Sequence, residues 1–353
     1  LHTGIHSFPT RRSSDRALVR KDDILICARN GSRALIGKCA KIDERAVGMA
    51  FGAFMAVFRT ADHGIVFYNL QSGLMRQQIE AHLGATINQI TNASLKEFWI
   101  PFPDSLGERA AIDAALSDVD ALLAELDQLV AKKRDLKQAA MQRLLPGRVR
   151  LQGFNGQWED RSLATLGPLL KGRGIRRDQA NSGSIACVRY GEIYTMHHDI
   201  VRAITSRISP AVAATATRLK QGDILFAGSG ETKEEIGKCV AFIGDFEAYA
   251  GGDIVILRPR GVDSRFLAYA LNTPEVNRQK ANLGQGDAVV HISAAALGSV
   301  TVRMPPLDEQ VAIGAVLSDM DTELTALEAR RDKTHQLKQG MMQALLTGRI
   351  RLT

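Results

Sequence analysis

One stretch of sixteen residues occurs twice in this sequence. It reads LKQAAMQRLLPGRVRL over Leu136–Leu151 and LKQGMMQALLTGRIRL over Leu337–Leu352, so the two copies lie 201 positions apart. A repeat with such a long period indicates a chain built from similar structural units, and it has to be recognised before local motifs are interpreted. The two copies therefore predict an internal duplication that extends over most of the chain.

Two further pairs of segments repeat at nearly the same spacing. DILICARNGSRALIGKC from Asp23 matches DILFAGSGETKEEIGKC from Asp223, and AIDAALSDVD from Ala111 matches AIGAVLSDMD from Ala312. A weaker pair, GATINQIT and GQGDAVVHIS, lies between them. Each repeat therefore consists of a globular part with a variable middle, followed by a helical part.

The first globular part is shorter than the second. The second begins near Phe154, whereas the first matches only from Arg16, the counterpart of Ala216, so about sixty residues of the first part are expected to be missing. The first fifteen residues, LHTGIHSFPTRRSSD, have no periodicity and resemble translated adapter or cloning sequence. A disordered natural arm is the alternative interpretation.

Composition favours a protein of at least two domains with a polyanionic partner. The chain has 353 residues, 45% of them hydrophobic, and a formal net charge of +7. It contains no apolar run of the roughly 18 to 20 residues that a membrane helix needs, so we expect a cytoplasmic protein. The four cysteines form no C-x-x-C pair, which favours buried thiols over a zinc or disulfide framework: Cys27, Cys39, Cys187 and Cys239.

The helical parts predict two long helices that pair with each other. Apolar residues recur at alternating spacings of four and three, the period of a coiled-coil seam. The first helix is expected from Leu106 to about Leu145, 40 residues or roughly 60 Å at 1.5 Å each. Packing of each helix on its own domain alone is the alternative. The seam residues are Ile112, Leu116, Val119, Leu123 and Leu126 in the first helix, and Ile313, Leu317, Met320, Leu324 and Leu327 in the second.

The globular parts are predicted to mix strands and helices. IACVRYGEIY (Ile185–Tyr194), DILFAG and DIVILRP are typical of strands, and SRFLAYALNTPEVNRQKANL is typical of a helix. We therefore expect an α+β fold: two globular domains separated by a pair of antiparallel helices, with a pseudo-twofold relation. The expected segments are 1–15 (non-native), 16–104 (first globular domain), 105–150 (central helix), 151–306 (second globular domain) and 307–353 (distal helix).

Two similar globular domains held apart by a rigid pair of helices are suited to binding duplex DNA, because two separated half-sites can lie on one face of the double helix. The basic run KGRGIRR has the composition of a flexible loop that follows phosphates, and VRYGEIYTMHH places polar side chains at a strand and its exit. A solvated loop, a core tyrosine and sequence drift are the alternatives. The candidate DNA contacts are Arg29, Asn30, Arg33, Lys171, Arg173, Arg176, Arg177, Arg189, Tyr190, His197, Thr232, Lys233 and His291.

Motifs of enzymes are missing from the sequence. It contains no G-x-x-x-x-G-K-[ST] phosphate loop, no G-x-S-x-G and no [ND]-P-P-[YF] tetrapeptide of amino-methyltransferases. We therefore predict a binding protein with no catalytic residue, no metal site and no cofactor of its own. A coiled-coil interaction protein with incidental basic patches, or a DNA-binding enzyme with a fused active site, are the alternatives.

The layout resembles one family, the DNA-specificity subunits of type I restriction-modification systems. The resemblance rests on the order of the segments, on the two D-I-L segments, on the duplicated ending, and on FNGQWED (Phe154–Asp160), VRYGEIYT (Val188–Thr195) and MPPLDEQVAIGAVLSDMD (Met304–Asp321). It covers Arg16–Thr353 and departs from the family pattern in the shortened first domain.

The resemblance implies a non-catalytic subunit in a bacterial or archaeal cytoplasm. Its two domains would each read half of a bipartite site in double-stranded DNA. Its helices would set the unread spacer and dock two methyltransferase subunits, and motor-nuclease subunits would complete the assembly. S-adenosylmethionine, ATP and Mg²⁺ would be bound by those partner subunits.

Overall fold

The chain forms two compact units, each assembled from strands and helices. The computed structural model describes residues 18–83 and 88–352. Unit 1 contains the residues up to Leu129 together with those from Leu327, and unit 2 contains Val130–Ala326. The stretch 1–15, expected to be non-native, lies outside the described residues. The mixture of strands and helices confirms the predicted α+β class.

A three-stranded antiparallel sheet forms the centre of unit 1. Its middle strand is β1 (Ile24–Cys27), which pairs with β2 (Cys39–Lys41) on one side and β3 (Met55–Phe58) on the other. Ile24 and Ile26 alternate along β1 and are both buried, as expected for a strand with one face on the core. The helices that follow are α1 (His63–Gln71), α2 (Gly73–His82), α3 (Asn92–Glu97) and the first part of α4 (Leu106–Leu144).

Unit 2 contains more strands than unit 1. Its strands are β4 (Glu159–Ser162), β5 (Leu169–Lys171), β6 (Ile185–Val188), β7 (Ile200–Val201), β8 (Arg207–Ile208), β9 (Thr217–Arg218), β10 (Ile224–Ala227), β11 (Ser229–Gly230), β12 (Cys239–Phe242), β13 (Ala248–Ala250), β14 (Ile254–Leu257), β15 (Val290–His291) and β16 (Thr301–Met304). Its helices are α5 (Leu163–Leu166), α6 (Tyr190–Thr195), α7 (Pro210–Ala213), α8 (Ser264–Leu271), α9 (Pro274–Leu283), α10 (Ala294–Ser299) and the first part of α11 (Leu307–Leu346).

Two sheets organise unit 2. The larger has the order β5-β14-β10-β12-β7 and the smaller the order β8-β6-β13-β9. Strands β10, β12 and β14 are buried along their whole length, because one face packs against α8 and α9 and the other against residues of the smaller sheet. This explains why these strands are runs of apolar residues without alternation.

One sequence-based assignment in unit 2 was wrong in detail. The predicted strand Ile185–Tyr194 ends at Val188, and α6 begins at Tyr190. The reason is the buried carboxylate of Glu192, which accepts a hydrogen bond from the Arg189 amide at 2.9 Å and so caps the start of a helix. The helical segment predicted after Asp263 forms two helices, α8 and α9, because Pro274 starts a new helix.

The two long helices confirm the sequence prediction. α4 contains 39 residues and α11 contains 40. Each ends shortly before a glycine in the left-handed region, Gly147 with φ +71° and Gly348 with φ +70°, where residues with a Cβ are disfavoured. Among the residues that the structure describes, no helix is long and apolar enough to cross a membrane.

In unit 1 the start of α4 pairs with the end of α11. Asp120 accepts a hydrogen bond from the Tyr68 hydroxyl at 2.9 Å and forms an ion pair with Lys338 at 2.6 Å. The Lys338 ammonium also lies 5.3 Å from the centre of the Tyr68 ring. Glu108, buried at the start of α4, accepts hydrogen bonds from Nε and Nη2 of Arg351 just beyond α11. The two segments therefore run antiparallel.

Unit 2 repeats this arrangement with the roles of the helices exchanged. Asp321 on α11 accepts from the Tyr269 hydroxyl at 2.6 Å and pairs with Lys137 on α4 at 2.6 Å. Lys137 lies 5.3 Å from the centre of the Tyr269 ring. Glu309, buried at the start of α11, binds Arg150 just beyond α4 through two hydrogen bonds of 2.5 Å. The duplicated sequence endings therefore serve the same structural purpose in both units.

Four of the predicted seam residues lie in the apolar cores of the two units: Ile112 and Leu116 in unit 1, and Ile313 and Leu317 in unit 2. Ile112 and Leu116 belong to one apolar cluster with Met342 and Leu345 of α11 and with strand β1. They therefore contact both the partner helix and the globular part, which combines the two alternatives that the sequence left open. Ile112, Leu116, Leu123, Leu126, Ile313, Leu317 and Leu324 are buried, whereas Val119, Met320 and Leu327 are partly buried.

One buried position differs in chemistry between the units. Lys280 in α9 is fully buried, and its ammonium donates one hydrogen bond to the Gly237 carbonyl at 2.8 Å. Burial lowers the pKa of Lys280, because a charged ammonium loses its hydration there. In unit 1 the side chain against the equivalent Gly37 is the apolar Ile79. An isoleucine therefore fits this type of site.

We predict that Lys280→Ile stabilises unit 2 at pH 7 and that the gain disappears as the pH rises. The unfolded chain keeps the Lys280 proton up to its ordinary pKa, whereas folding favours its release, so wild-type stability rises with pH and the variant lacks this rise. We expect a melting temperature about 2 to 4 °C higher at pH 7, corresponding to about 1 kcal/mol. Thermal denaturation at pH 7 and pH 10 measures both values.

The matched control is Lys220→Ile, because Lys220 is exposed and should show no pH-dependent difference from wild type. A Lys280→Ile protein that melts below wild type at both pH values would show that the hydrogen bond to Gly237 outweighs the burial of the ammonium.

Candidate nucleic-acid interface

A cleft of about 370 Å³ opens in unit 2 where β10 ends. We call it the strand-end cleft; its lining includes Lys171, Ser229, Asp253, Gln285 and His291. Ser229 and His291 face each other across the short ladder of β11 and β15. The Ser229 hydroxyl lies 2.9 Å from Nδ1 of His291, a contact that holds the imidazole ring through this nitrogen. Two of the predicted DNA contacts, Lys171 and His291, therefore share one concave surface.

The basic loop, Lys171–Arg177, is anchored to the protein, so the expectation of a flexible loop was wrong. Ile175 adopts a left-handed conformation with φ +55° and buries its side chain in a small apolar cluster. The Gly252 amide donates to the Gly174 carbonyl at 3.1 Å. A Cβ on Gly172 would lie 2.0 Å from a backbone oxygen, so only glycine fits there. The glycines therefore allow close packing.

The four cations of this loop are exposed, although its backbone is anchored. Within residues 18–83 and 88–352, Arg176 is the one that forms an ion pair, at 3.7 Å from Asp178, and both partners are about three-quarters exposed. Such an exposed pair contributes little to stability, so the charges remain available to a polyanion. The exposed cations are Lys171, Arg173, Arg176 and Arg177.

Arg189 and Tyr190 lie at the junction between the end of β6 and the start of α6. Glu192 is buried and binds the Arg189 guanidinium at 3.3 Å and also the Ser206 hydroxyl. This fixes the Arg189 side chain, which is 31% exposed. The Tyr190 side chain is exposed. The Gly251 amide donates to Val188, so this corner lies beside the turn that also holds the basic loop.

His197 does not fit the role predicted for it. Its side chain is buried, and burial lowers its pKa, so the neutral ring is favoured. The cause is helix α6, which was predicted as a strand. The His197 amide donates a hydrogen bond to the Glu192 carbonyl at the end of this helix, and the imidazole ring lies inside the protein. His198 is exposed and lines a different cleft with Glu234 and Lys238.

The variable middle of the second D-I-L segment is held in place by Tyr194. Its hydroxyl lies within hydrogen-bonding distance of the carbonyls of Ser229 at 3.2 Å and Glu235 at 3.3 Å. Burial raises the pKa of Tyr194 to about 12, so the hydroxyl stays protonated and acts as the donor. Thr232 and Lys233 are exposed between these two anchor points. The loop is therefore fixed at its ends with two polar side chains at its tip.

In unit 1 the three candidate residues of the equivalent loop differ in the contacts that hold their side chains. The Asn30 side chain accepts from the Ser32 amide at 2.8 Å, a local turn contact. Arg33 donates to the carbonyls of Glu80 and Leu83 at the end of α2, which is typical of a helix cap. Arg29 is exposed and stacks on Phe54, with its guanidinium carbon 5.3 Å from the ring centre. Arg29 is therefore better placed for an external contact than Arg33.

Sequence reasoning missed Gln89. Arg29 and Gln89 form an antiparallel bridge, at the place in unit 1 that corresponds to Ser229 and His291 in unit 2. The weak repeat between GATINQIT and GQGDAVVHIS was the signal for this equivalence, although its first four residues in unit 1, 84–87, lie outside the described residues.

These surfaces combine exposed cations, an aromatic side chain and a polar cleft, which suits binding to a nucleic acid. In the part of the chain that the structure describes, no group of three or more His, Cys, Asp or Glu side chains is placed to hold a metal ion.

Comparison with known proteins identifies the family. Two curated relatives from Methanocaldococcus jannaschii are named as the MjaX and MjaVIII type I restriction enzyme specificity subunits. The first is 30% identical over 134 residues, 37% of this chain and 31% of the relative. The second is 26% identical over 131 residues, 36% of this chain and 29% of the relative. The matches therefore span less than a third of either relative.

The fold itself is shared with a solved protein. The crystal structure of a type I restriction-modification system S subunit from M. genitalium matches with a TM-score of 0.64 and 16% identity, over 93% of this chain and 83% of that chain. Residues 155–338 match the model of the type I restriction modification DNA specificity domain. Since this match covers more than half of the chain, the protein belongs to the type I restriction-modification DNA specificity family.

Proposed function

We propose that this chain is the non-catalytic, sequence-reading subunit of a type I restriction-modification complex and that each unit contacts one half of a bipartite site in double-stranded DNA. The observation that carries the proposal is the repeated frame of units 1 and 2, whose corresponding strand ends carry different side chains, Arg29 opposite Gln89 in unit 1 and Ser229 opposite His291 in unit 2. One frame with two sets of side chains is suited to reading two different sequences.

In unit 2 the proposed contacts divide into two classes. The basic loop supplies phosphate contacts, because its cations are exposed and its backbone is anchored. Phosphate contacts orient a protein on the duplex without reading the bases. Tyr190, the tip of the loop with Thr232 and Lys233, and the strand-end cleft supply the side chains that distinguish base edges.

The paired helices are proposed to set the length of the unread spacer and to dock two methyltransferase subunits. Several apolar side chains on α4 and α11 are exposed, among them Leu136, Val311 and Leu337, and they would be available for contact with these subunits. S-adenosylmethionine would be bound by the methyltransferase subunits, and ATP with Mg²⁺ by motor-nuclease subunits.

Removing the cations of the basic loop should weaken DNA binding at every sequence alike. We predict that Lys171→Ala, Arg173→Ala, Arg176→Ala and Arg177→Ala together make the dependence of log Kd on log salt less steep by about 3 to 4, because each phosphate contact contributes about 0.9. The measurement is a salt titration of the assembled complex with its own target duplex.

A charge-matched control replaces four other exposed cations of unit 2 by alanine. Lys220 and Arg260 lie near the end of the large sheet opposite the strand-end cleft, because they flank the Asp223–Arg258 ion pair at the start of β10. With Arg278 and Arg303 they give the same change in net charge and should leave the slope close to wild type. Equal slopes in both quadruple variants would show that the basic loop does not contact phosphates.

Lengthening the paired helices should lengthen the spacer. One heptad inserted after Leu129 in α4, and one after Ala326 in α11, adds about 10.5 Å of helix, or about three base pairs at about 3.4 Å each. We predict that sequencing of methylated DNA shows both half-sites unchanged and the spacer about three base pairs longer.

The matched control for this experiment is the insertion of fourteen residues into the exposed turn at residues 245–247 of unit 2, which lengthens the chain by as much as the two heptads together without changing either long helix. If the doubly extended protein methylates sites with the original spacer, the helices do not determine the spacing.

A further inference from the structure

Unit 1 fixes Gln89 at the end of its central strand. Gln89 forms an antiparallel bridge with Arg29. The next residue, Ile90, is buried and donates its amide to the Ala28 carbonyl at 2.8 Å. The Gln89 side chain is partly exposed, while the backbone on both sides of it is held by hydrogen bonds.

Unit 2 repeats this geometry with other side chains. His291 pairs with Ser229, and the next residue, Ile292, is buried and donates its amide to the Gly228 carbonyl at 3.0 Å. His291 is exposed in the strand-end cleft, whereas Ser229 is buried beneath it. The backbone frame is therefore the same in both units, and the exposed side chain that it presents differs.

The surroundings of these two positions are also repeated. Thr91 caps α3 and Ser293 caps α10 through the same side-chain contact to a backbone amide. Further on, the Gln78 amide side chain exchanges two hydrogen bonds with the backbone of Trp99, and Gln279 does the same with Thr301. The capping contacts, the glutamine contacts and the isoleucine after each position are thus retained, so the difference at positions 89 and 291 is not a consequence of a different local fold.

The lining of the strand-end cleft favours a base edge over a phosphate. Asp253 lines the same cleft as Lys171 and His291, and its side chain is exposed. A carboxylate repels phosphate, but it accepts hydrogen bonds from the exocyclic amino groups of bases. Lys171 lies in the same lining and can hold the neighbouring backbone phosphate.

We propose that Gln89 and His291 are the specificity-determining residues at equivalent positions of the two units, each reading one base pair of its own half-site; the inference rests on the proposed function. The amide of Gln89 matches the paired donor and acceptor edge of adenine. His291 offers one ring nitrogen, because Nδ1 is engaged by Ser229. Ser229 is a positioning residue that orients the ring.

The experiment uses the full chain assembled with methyltransferase subunits and a library of duplexes randomised at every position of the wild-type motif. Modified duplexes are identified by sequencing. His291→Gln should change the preferred base at one position of one half-site by about tenfold or more and leave the other half-site unchanged. Gln89→His should do the same in the other half-site. Ser229→Ala should keep the preferred base and reduce the discrimination.

Matched controls carry the same substitutions at exposed positions outside this frame. They are His198→Gln in unit 2 and Gln71→His in unit 1, and both should give the wild-type motif. Wild-type motifs from both His291→Gln and Gln89→His would overturn the inference while leaving the proposed function intact. A wild-type complex that modifies the library without any bipartite motif would instead contradict the proposed function.

Discussion

Each unit depends on a partly buried carboxylate that joins a globular part to both long helices. Asp120 and Asp321 each bind a tyrosine hydroxyl of the adjacent globular part and a lysine of the opposite helix. Removing one partner of such a pair leaves a poorly hydrated charge, which is strongly unfavourable. These contacts also admit a single register, because shifting either helix by one residue rotates its carboxylate away from both partners. The apolar seam supplies the attraction between the helices, and the carboxylates determine the register in which the helices pair.

The sequence was sufficient to predict the features that depend on repetition and periodicity. The duplication, the two long helices and the antiparallel partner of each follow from spacings of four and three and from the duplicated endings. The failures concern residues whose conformation is set by distant contacts. The strand predicted through Tyr190 became a helix because Glu192 is buried, and this in turn placed His197 inside the protein. The basic loop seemed flexible from its glycines, but Ile175 anchors it.

Comparison of the two units separates what the fold requires from what it tolerates. The Glu108–Arg351 and Glu309–Arg150 pairs are identical in chemistry, and so is the isoleucine that follows Gln89 and His291. By contrast, the site beneath the turn at Gly37 accepts Ile79, and its equivalent accepts Lys280. Because the fold is present twice in one chain, equivalent positions of the two units can be compared directly. Positions where the two residues differ are positions whose residue type is not determined by packing.

The two units cannot complete folding at the same time during synthesis, because unit 2 is one continuous segment of the chain and unit 1 is made of two. Unit 2 consists of consecutive residues, Val130–Ala326, whereas unit 1 needs the stretch from Leu327, including Arg351 for the buried Glu108. During synthesis on the ribosome, unit 2 can close while the last helix is still being made. Unit 1 has to wait with one helix face uncovered until residues 327–352 emerge, so nascent chains interrupted before these residues would expose apolar surface in unit 1.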